Sequence, residues 1–153
     1  MNTTRRRKKK KSTGIQRCRY CSSSVSIKSH MEMAEQLREG RYYVCNNPDC
    51  RAYVRIRPGT NLPDGEMADA CVRHKRKEAH HYFDQIHANR LMTRMEGYEW
   101  LGYLFRRPDG TAHIKYLTEY ECQILIERSI TVLKGNKINI IPFIDEREVE
   151  HHD

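Results

Sequence analysis

Two pairs of cysteines in the first third of the chain constrain its fold more than any other feature. Cys18 and Cys21 are separated by two residues and Cys45 and Cys50 by four, with twenty-three residues between the pairs. Thiolate pairs at such spacings lie on tight turns, and two turns of this kind complete a tetrahedral zinc site. Because four protein ligands leave no open coordination position, we expect one structural zinc ion that does no chemistry.

Disulfide bonds are the alternative use of these cysteines. The sequence contains no apolar run of ~18–20 residues suited to a membrane helix, and its first residues lack the apolar segment of a secretory signal. We therefore expect no membrane contact and a reducing, cytoplasmic location. In such a compartment a closely spaced cysteine pair is more often a metal site than a disulfide.

Residue patterns predict an α+β fold in which a zinc ribbon of three short antiparallel strands precedes about three α-helices. Short β-branched and aromatic runs predict strands at 25–27, 41–44 and 52–56. The segment 29–40 between the first two strands fits either a short helix or a long excursion. Residues 139–144 form at most an edge strand, because Pro142 interrupts them.

Helical periodicity begins after the turn-rich segment 58–65. Apolar residues at spacings of three, four and seven predict a helix from about Glu66 to Ala88, and capping boxes at Thr93 and Thr118 predict two more. The apolar stripe of the second helix is predicted to be Met95, Tyr98, Leu101 and Phe105. That of the third is predicted to be Cys122, Leu125, Ile126, Ser129 and Leu133. Cys71 and Cys122 are interpreted as buried core thiols.

These patterns divide the chain into four parts. We expect a disordered basic arm at 1–16, the zinc ribbon at 17–58, a helical domain at 64–135 packed on the ribbon, and a C-terminal tail at 136–153 with an acidic end.

The basic arm is the strongest electrostatic feature of the chain, whose formal net charge is +8. It contains seven consecutive cations, Arg5, Arg6, Arg7, Lys8, Lys9, Lys10 and Lys11. Adjacent like charges cannot pack together, so this run is expected to stay flexible and to contact phosphates without reading sequence. A nuclear import signal has a similar composition.

Aromatic and basic residues alternate along the predicted ribbon strands. This pattern is typical of surfaces that stack bases and bind phosphates. The candidates are Arg41, Tyr43, Arg51, Tyr53 and Arg55. Because alternate residues of a strand point inward, only some of these tyrosines can be available.

A polar stripe on the first predicted helix is a second candidate surface. Positions 73, 76, 80 and 84 share one face, with Lys77 beside them. Three interpretations are open: a solvated face, phosphate contact through Arg73, Arg76, Lys77 and His80, or a hydrolytic site that uses His80 and Asp84, with His87 as a metal ligand. Cys71 and His74 lack the second pair of ligands that a further metal site needs.

The cysteine module and the motifs after it carry a family resemblance. The motifs are the segments 43–54, 59–65, 68–84 and 98–101. Over Cys18–Arg128 the chain resembles a family of uncharacterised zinc-finger-containing proteins of bacteriophages and bacteria, which implies a bacterial cytoplasm but no activity. The ribbon is also similar to the zinc ribbons of type IA DNA topoisomerases, which bind single-stranded DNA. It departs from them in the spacing of the second cysteine pair and in the excursion at 31–40, so this similarity implies a fold more than an activity.

The sequence therefore favours a non-catalytic nucleic-acid-binding protein, with DNA preferred to RNA as its partner. The main alternative is a protein-interaction module, such as an adaptor or an inhibitor of a host factor. A nuclease built around His80 and Asp84 is the third hypothesis.

Overall fold

The computed structural model describes residues 14–107 and 112–145. The basic run Arg5–Lys11 and the acidic end at 146–153 lie outside the described residues. The chain divides into two compact units, and the division falls after Met67. Three antiparallel strands precede three α-helices, which confirms the predicted α+β class.

The N-terminal unit contains one antiparallel sheet of three strands. β1 is Val25–Ser29, β2 is Arg41–Cys45 and β3 is Tyr53–Arg55. β2 lies in the centre, with Tyr43 opposite Ile27 of β1 and Val54 of β3. All three predicted strands are therefore present, with ends shifted by one or two residues.

One face of this sheet forms the core of the unit. Because side chains alternate along a strand, Tyr43 and Cys45 share a face with Val54. The buried residues of this core are Cys18, Tyr43, Cys45, Ala52, Val54, Ile56 and Met67. The cysteine sulfurs are thus part of the same cluster as the apolar side chains.

The segment between β1 and β2 lies over the opposite face of the sheet. It begins with a single 3₁₀ turn at His30–Glu32, capped by Ser29, and then continues without regular structure. The Tyr42 hydroxyl donates to the carbonyl of Arg38 at 2.8 Å, and an Arg55 Nη2 donates to that of Glu39 at 2.8 Å. Of the two open interpretations, the long excursion is the one observed.

The C-terminal unit contains the three helices, α1 at Ala70–Ala88, α2 at Arg94–Leu104 and α3 at Glu119–Gly135. The capping boxes at Thr93 and Thr118 are both formed, as predicted. α1 begins at Ala70 rather than near Glu66. Asp69 is its N-cap, and the Asp69 carboxylate accepts a hydrogen bond from the Val72 N–H at 2.9 Å, which fixes the first turn at that point.

The core of this unit lies mainly between α1 and α3, which pack against each other. Its buried residues are Ala79, Leu101, Ala112, Ile114, Leu117, Cys122, Leu125 and Ile126. Every predicted residue of the α3 stripe is buried. Cys122 is a core thiol as predicted, whereas the same prediction for Cys71 is wrong, because Cys71 is exposed.

The predicted apolar stripe of α2 is wrong in its first half. Met95 is 73% exposed and Tyr98 41% exposed, and the buried residues of this helix are Gly97 and Leu101. A Cβ at position 97 would lie only 3.1 Å from the ring of Phe83. The buried face of α2 therefore includes Gly97, which a hydrophobic pattern does not recognise as a core position. Met95 and Tyr98 lie on the solvent-exposed side of the helix.

Each helix of this unit ends with a cation in the left-handed backbone conformation. Arg90, Arg106 and Lys137 have φ angles of 59°, 52° and 56°. In α2 the Arg107 N–H donates to the Gly102 carbonyl at 2.9 Å, which is a Schellman arrangement, and α1 and α3 end in the same way. A positive charge at this end of a helix interacts favourably with the helix dipole and offsets part of the backbone strain.

The segment after α3 runs along α1 and forms no strand. Gln85 holds it at Ile141, because its side chain accepts from the Ile141 N–H at 2.9 Å and donates to the Ile141 carbonyl at 3.0 Å. The Tyr82 hydroxyl accepts from the Phe143 N–H at 3.0 Å, and His74 Nε2 lies 3.0 Å from an Asp145 oxygen. We call residues 138–145 the strap.

Replacement of Gln85 by alanine is expected to release the strap. The side chain is buried, and its loss leaves the Ile141 N–H without its acceptor, whereas the Ile141 carbonyl keeps His81 Nε2 2.7 Å away; we expect a cost of about 1 kcal/mol in the free energy of unfolding. Hydrogen exchange of the Ile141 amide should become faster. Gln36→Ala, at an exposed position of the other unit, serves as the control. An unchanged Ile141 exchange rate in Gln85→Ala would contradict this role.

Candidate metal centre

The sulfur atoms of the two cysteine pairs converge at one point of the N-terminal unit. The Sγ atoms of Cys18, Cys21, Cys45 and Cys50 all lie within 4.8 Å of one another. The Cys18–Cys50 separation is 3.7 Å and the Cys21–Cys45 separation 3.4 Å. A tetrahedron with Zn–S bonds of about 2.3 Å has edges of about 3.8 Å, so this set of donors fits a zinc ion.

The two cysteine turns have related backbone geometry although their spacings differ. The Tyr20 N–H donates to Cys18 Sγ and the Asn47 N–H to Cys45 Sγ, both at 3.4 Å. The residue directly after each second cysteine is left-handed, with φ of 61° at Ser22 and 52° at Arg51. Each turn thus aims a backbone donor at the first sulfur of its pair.

The longer second turn is closed by its own asparagine. The Asn47 side-chain oxygen accepts from the Asp49 N–H at 3.0 Å, and its carbonyl accepts from the N–H groups of Cys50 and Arg51, both at 3.1 Å. Turns of this kind are typical of asparagine, whose side chain bonds to backbone two residues ahead. The two extra residues are accommodated in this way without separating the sulfurs.

The pKa values of Cys21, Cys45 and Cys50 are shifted in different directions. Hydrogen bonds from Ser23, first from its side chain and then from its backbone, lower the pKa of Cys21 to about 6. Burial raises the pKa of Cys45 to about 12 and also raises that of Cys50. Because zinc binds thiolates, metal binding must displace protons from Cys45 and Cys50 at neutral pH.

Ser23 is a residue of this centre that sequence reasoning missed. It also fixes the first turn through its carbonyl, which accepts from the Cys18 N–H at 2.9 Å. The signal available in the sequence is a hydroxyl two residues after Cys21, and runs of serine are too common to single it out. The centre as a whole has four protein ligands and can hold a metal that stabilises structure.

This strand arrangement with its cysteine cluster defines a metal-binding module of the zinc-ribbon type. The chain belongs to a family described as a zinc-finger-containing domain, whose model matches residues 14–132. Searches of curated proteins and of solved structures find no match to the chain. The four cysteines of the module could hold one zinc ion, as the sequence predicts.

The candidate nucleic-acid residues of the ribbon are tyrosines and arginines, and neither tyrosine is fully exposed. Tyr43 is 3% exposed, and its hydroxyl donates to the Asn61 carbonyl, so its ring has no free face for a base. The choice of Tyr43 is therefore wrong, and the reason is that this side chain points into the core. Tyr53 is half-buried with its ring edge against Tyr42, at 5.9 Å between ring centroids.

The three ribbon arginines bond to neutral carbonyl groups. Arg41 donates to the Thr60 carbonyl at 2.5 Å and Arg51 to that of Pro48 at 2.9 Å. Arg55 lies under the excursion, where its Nε is buried without a hydrogen-bond partner within the described residues. Arg41 and Arg51 are exposed, whereas Arg55 is only half-exposed.

The polar stripe is present on α1, in the C-terminal unit. Arg73 donates to the Ala68 carbonyl at 2.6 Å, and Arg76 donates through two nitrogens to the Leu117 carbonyl. Lys77 and His80 are exposed. Desolvation lowers the pKa of His80, Asp84 opposes this shift and Arg76 adds to it, so His80 is less readily protonated than an ordinary histidine.

No second metal cluster accompanies the stripe in the part of the chain that the structure describes. His80, Asp84 and His87 do not form a group that could hold an ion, and neither do Cys71 and His74. The same described residues include no helix with the length and apolar character needed to cross a membrane.

Proposed function

We propose that this protein binds nucleic acid without catalysis, with its zinc ion stabilising the ribbon. The observation that carries the proposal is the pairing of the ribbon arginines. Arg41, Arg51 and Arg55 donate to carbonyl oxygens, and none of them has a carboxylate partner among the described residues. A carbonyl orients a guanidinium without neutralising it, so the positive charge remains available to a phosphate.

Exposed cations elsewhere support the same proposal. Lys77 on α1 is exposed, and Arg73 and Arg76 lie on the same helix. Arg76 contributes charge at long range rather than by contact, because its guanidinium is already held at Leu117. His80 would act as a hydrogen-bond donor to phosphate rather than as a cation.

The basic run Arg5–Lys11 adds the largest share of positive charge. It carries seven cations in a chain of net charge +8. Contacts between such a run and phosphates release counterions and depend little on sequence. We place this activity in a reducing cytoplasm, because thiolate zinc ligands need a reducing compartment. The setting in a bacterial or phage-infected cell and the preference for DNA over RNA rest on the family resemblances of the sequence.

Deletion of residues 1–11 is expected to weaken nucleic-acid binding and to reduce its salt dependence. Each lost phosphate contact lowers the slope of log affinity against log salt by about 0.7–0.9. Fluorescence anisotropy over a series of salt concentrations measures both quantities, with single- and double-stranded DNA and RNA as ligands and with zinc-loaded protein.

A full-length variant with glutamine at Arg5–Lys11 separates the effect of charge from that of length. We expect it to behave like the deletion. Unchanged affinity and slope in both variants would remove the arm from the interface. If the unaltered protein binds none of the four nucleic acids at low salt, the proposal as a whole is wrong.

A protein-interaction module is the second candidate, and exposed apolar side chains on the strap favour it. Ile141 is 64% exposed and Ile144 68% exposed. Failure to bind any nucleic acid, together with a complex that Ile144→Asp abolishes, would support this candidate over the first.

A further inference from the structure

A groove of about 1380 Å³ runs along the solvent face of α2 in the C-terminal unit. Its apolar lining includes Met95 and Tyr98, which the sequence pattern wrongly predicts to be buried, together with Tyr103. Met95 is 73% exposed, Tyr98 41% and Tyr103 84%. The volume exceeds the roughly 300–1,000 Å³ of a small-molecule pocket, which indicates an extended ligand.

Cations surround this aromatic surface. Arg94, Arg106 and Arg128 line the groove, and none of them has a carboxylate partner among the residues that the structure describes. Arg107 differs, because it pairs with Glu121 at 2.8 Å. The carboxylate of Glu99 is the acidic group in this lining. The groove is therefore positively charged and complementary to a polyanion.

The aromatic rings are positioned for stacking. Tyr98 packs against His113 with 4.4 Å between ring centroids, which supports the ring from one side. Tyr103 lies five residues, about 1.4 helical turns, further along α2 and also lines the groove, with most of its surface exposed. Exposed rings beside unpaired arginines are the arrangement with which proteins bind single strands, since every base offers a face for stacking. A duplex keeps its bases stacked inside and cannot use these rings.

We propose that this α2 groove, formed by Met95, Tyr98 and Tyr103 with Arg94, Arg106 and Arg128, binds a single strand of nucleic acid. The inference rests on the proposed function and adds to it a second surface and the preferred form of the ligand. The bases stack on Tyr98 and Tyr103, while the arginines contact the phosphates on either side.

Crosslinking tests this location directly. The full chain, loaded with zinc, is irradiated with a 4-thiothymidine oligomer of about 16 nucleotides, which is at the upper end of known single-strand sites. Trypsin cleaves after Arg94 and Arg106, so both tyrosines of the groove lie on the peptide 95–106. The ribbon tyrosines lie on the peptides 42–51 and 52–55. We expect crosslinks on 95–106, and crosslinks confined to the ribbon peptides would overturn the proposal.

Affinity measurements supply the second test. Tyr103→Ala is expected to weaken single-strand binding about 5- to 150-fold, the range for loss of one stacked base, and to leave duplex binding unchanged. The control is Tyr120→Ala, which removes a tyrosine that is 75% exposed and lies outside the groove. An equal loss of single-strand affinity in both variants, or no loss in Tyr103→Ala, would contradict the groove as the binding site and leave the proposed function intact. A protein that binds no nucleic acid at all would defeat both.

Discussion

Loss of zinc is expected to unfold the N-terminal unit and to leave the helices in place. Cys45→Ser removes one of four ligands whose sulfurs lie within 4.8 Å of one another and form part of the core. Binding of a structural zinc ion contributes about 10–16 kcal/mol in small zinc modules, and this free energy is folding free energy. The three short strands bury too little apolar surface to replace it.

The expected result has three measurable parts. The metal content should fall from one zinc ion per chain to none, and the amides of Tyr43 and Val44 should lose their protection from hydrogen exchange. The helical circular dichroism should remain. Cys71→Ser is the matched control, because Cys71 is exposed and lies outside the cluster. A Cys45→Ser protein that keeps both its metal and its protected β2 amides would contradict a closed four-cysteine site.

Leu101→Ala is expected to lower the free energy of unfolding of the C-terminal unit by about 2–5 kcal/mol. Leu101 is fully buried in the cluster between the helices, so its truncation leaves a cavity. Urea denaturation followed by tryptophan fluorescence measures the change, because the single tryptophan, Trp100, stacks on Phe83 in this unit.

The control for this change is Tyr120→Ala, at an exposed position of α3. A surface substitution of this kind alters stability by no more than about 0.5 kcal/mol. Zinc content should be unchanged in both variants, since every ligand lies in the other unit. A cost below about 1 kcal/mol for Leu101→Ala would show that the core collapses around the missing side chain.

The metal centre could be predicted from sequence because its signal is local. Spacings of two and four residues dictate tight turns, and thiolates are a small and specific set of ligands. The third helix was equally accessible, since Thr118 begins it with a capping box and its apolar residues recur at helical spacing. In both cases the residues that decide the structure are neighbours in the chain.

The sequence predictions are wrong at positions whose burial or hydrogen bonding depends on residues far away in the chain. Nothing near Tyr43 in the sequence indicates that its hydroxyl meets Asn61, eighteen residues later. Nothing in the sequence around Arg76 indicates that its guanidinium donates to the carbonyl of Leu117, forty-one residues later. On α2 an inward position is occupied by Gly97, which has no apolar side chain to mark it, so the hydrophobic pattern predicts the wrong side of the helix as buried.

The strap determines how far a truncated form of this protein must extend. The family match ends at residue 132, within α3, yet the buried side chain of Gln85 bonds to both the N–H and the carbonyl of Ile141. A fragment trimmed to the matched region would leave the Gln85 side-chain oxygen without the Ile141 N–H, although its nitrogen keeps the His81 carbonyl, and would remove Phe143 from Tyr82 and His81. A fragment that keeps these contacts and the His74–Asp145 pair extends to Asp145, so expression boundaries should follow hydrogen bonding rather than sequence similarity.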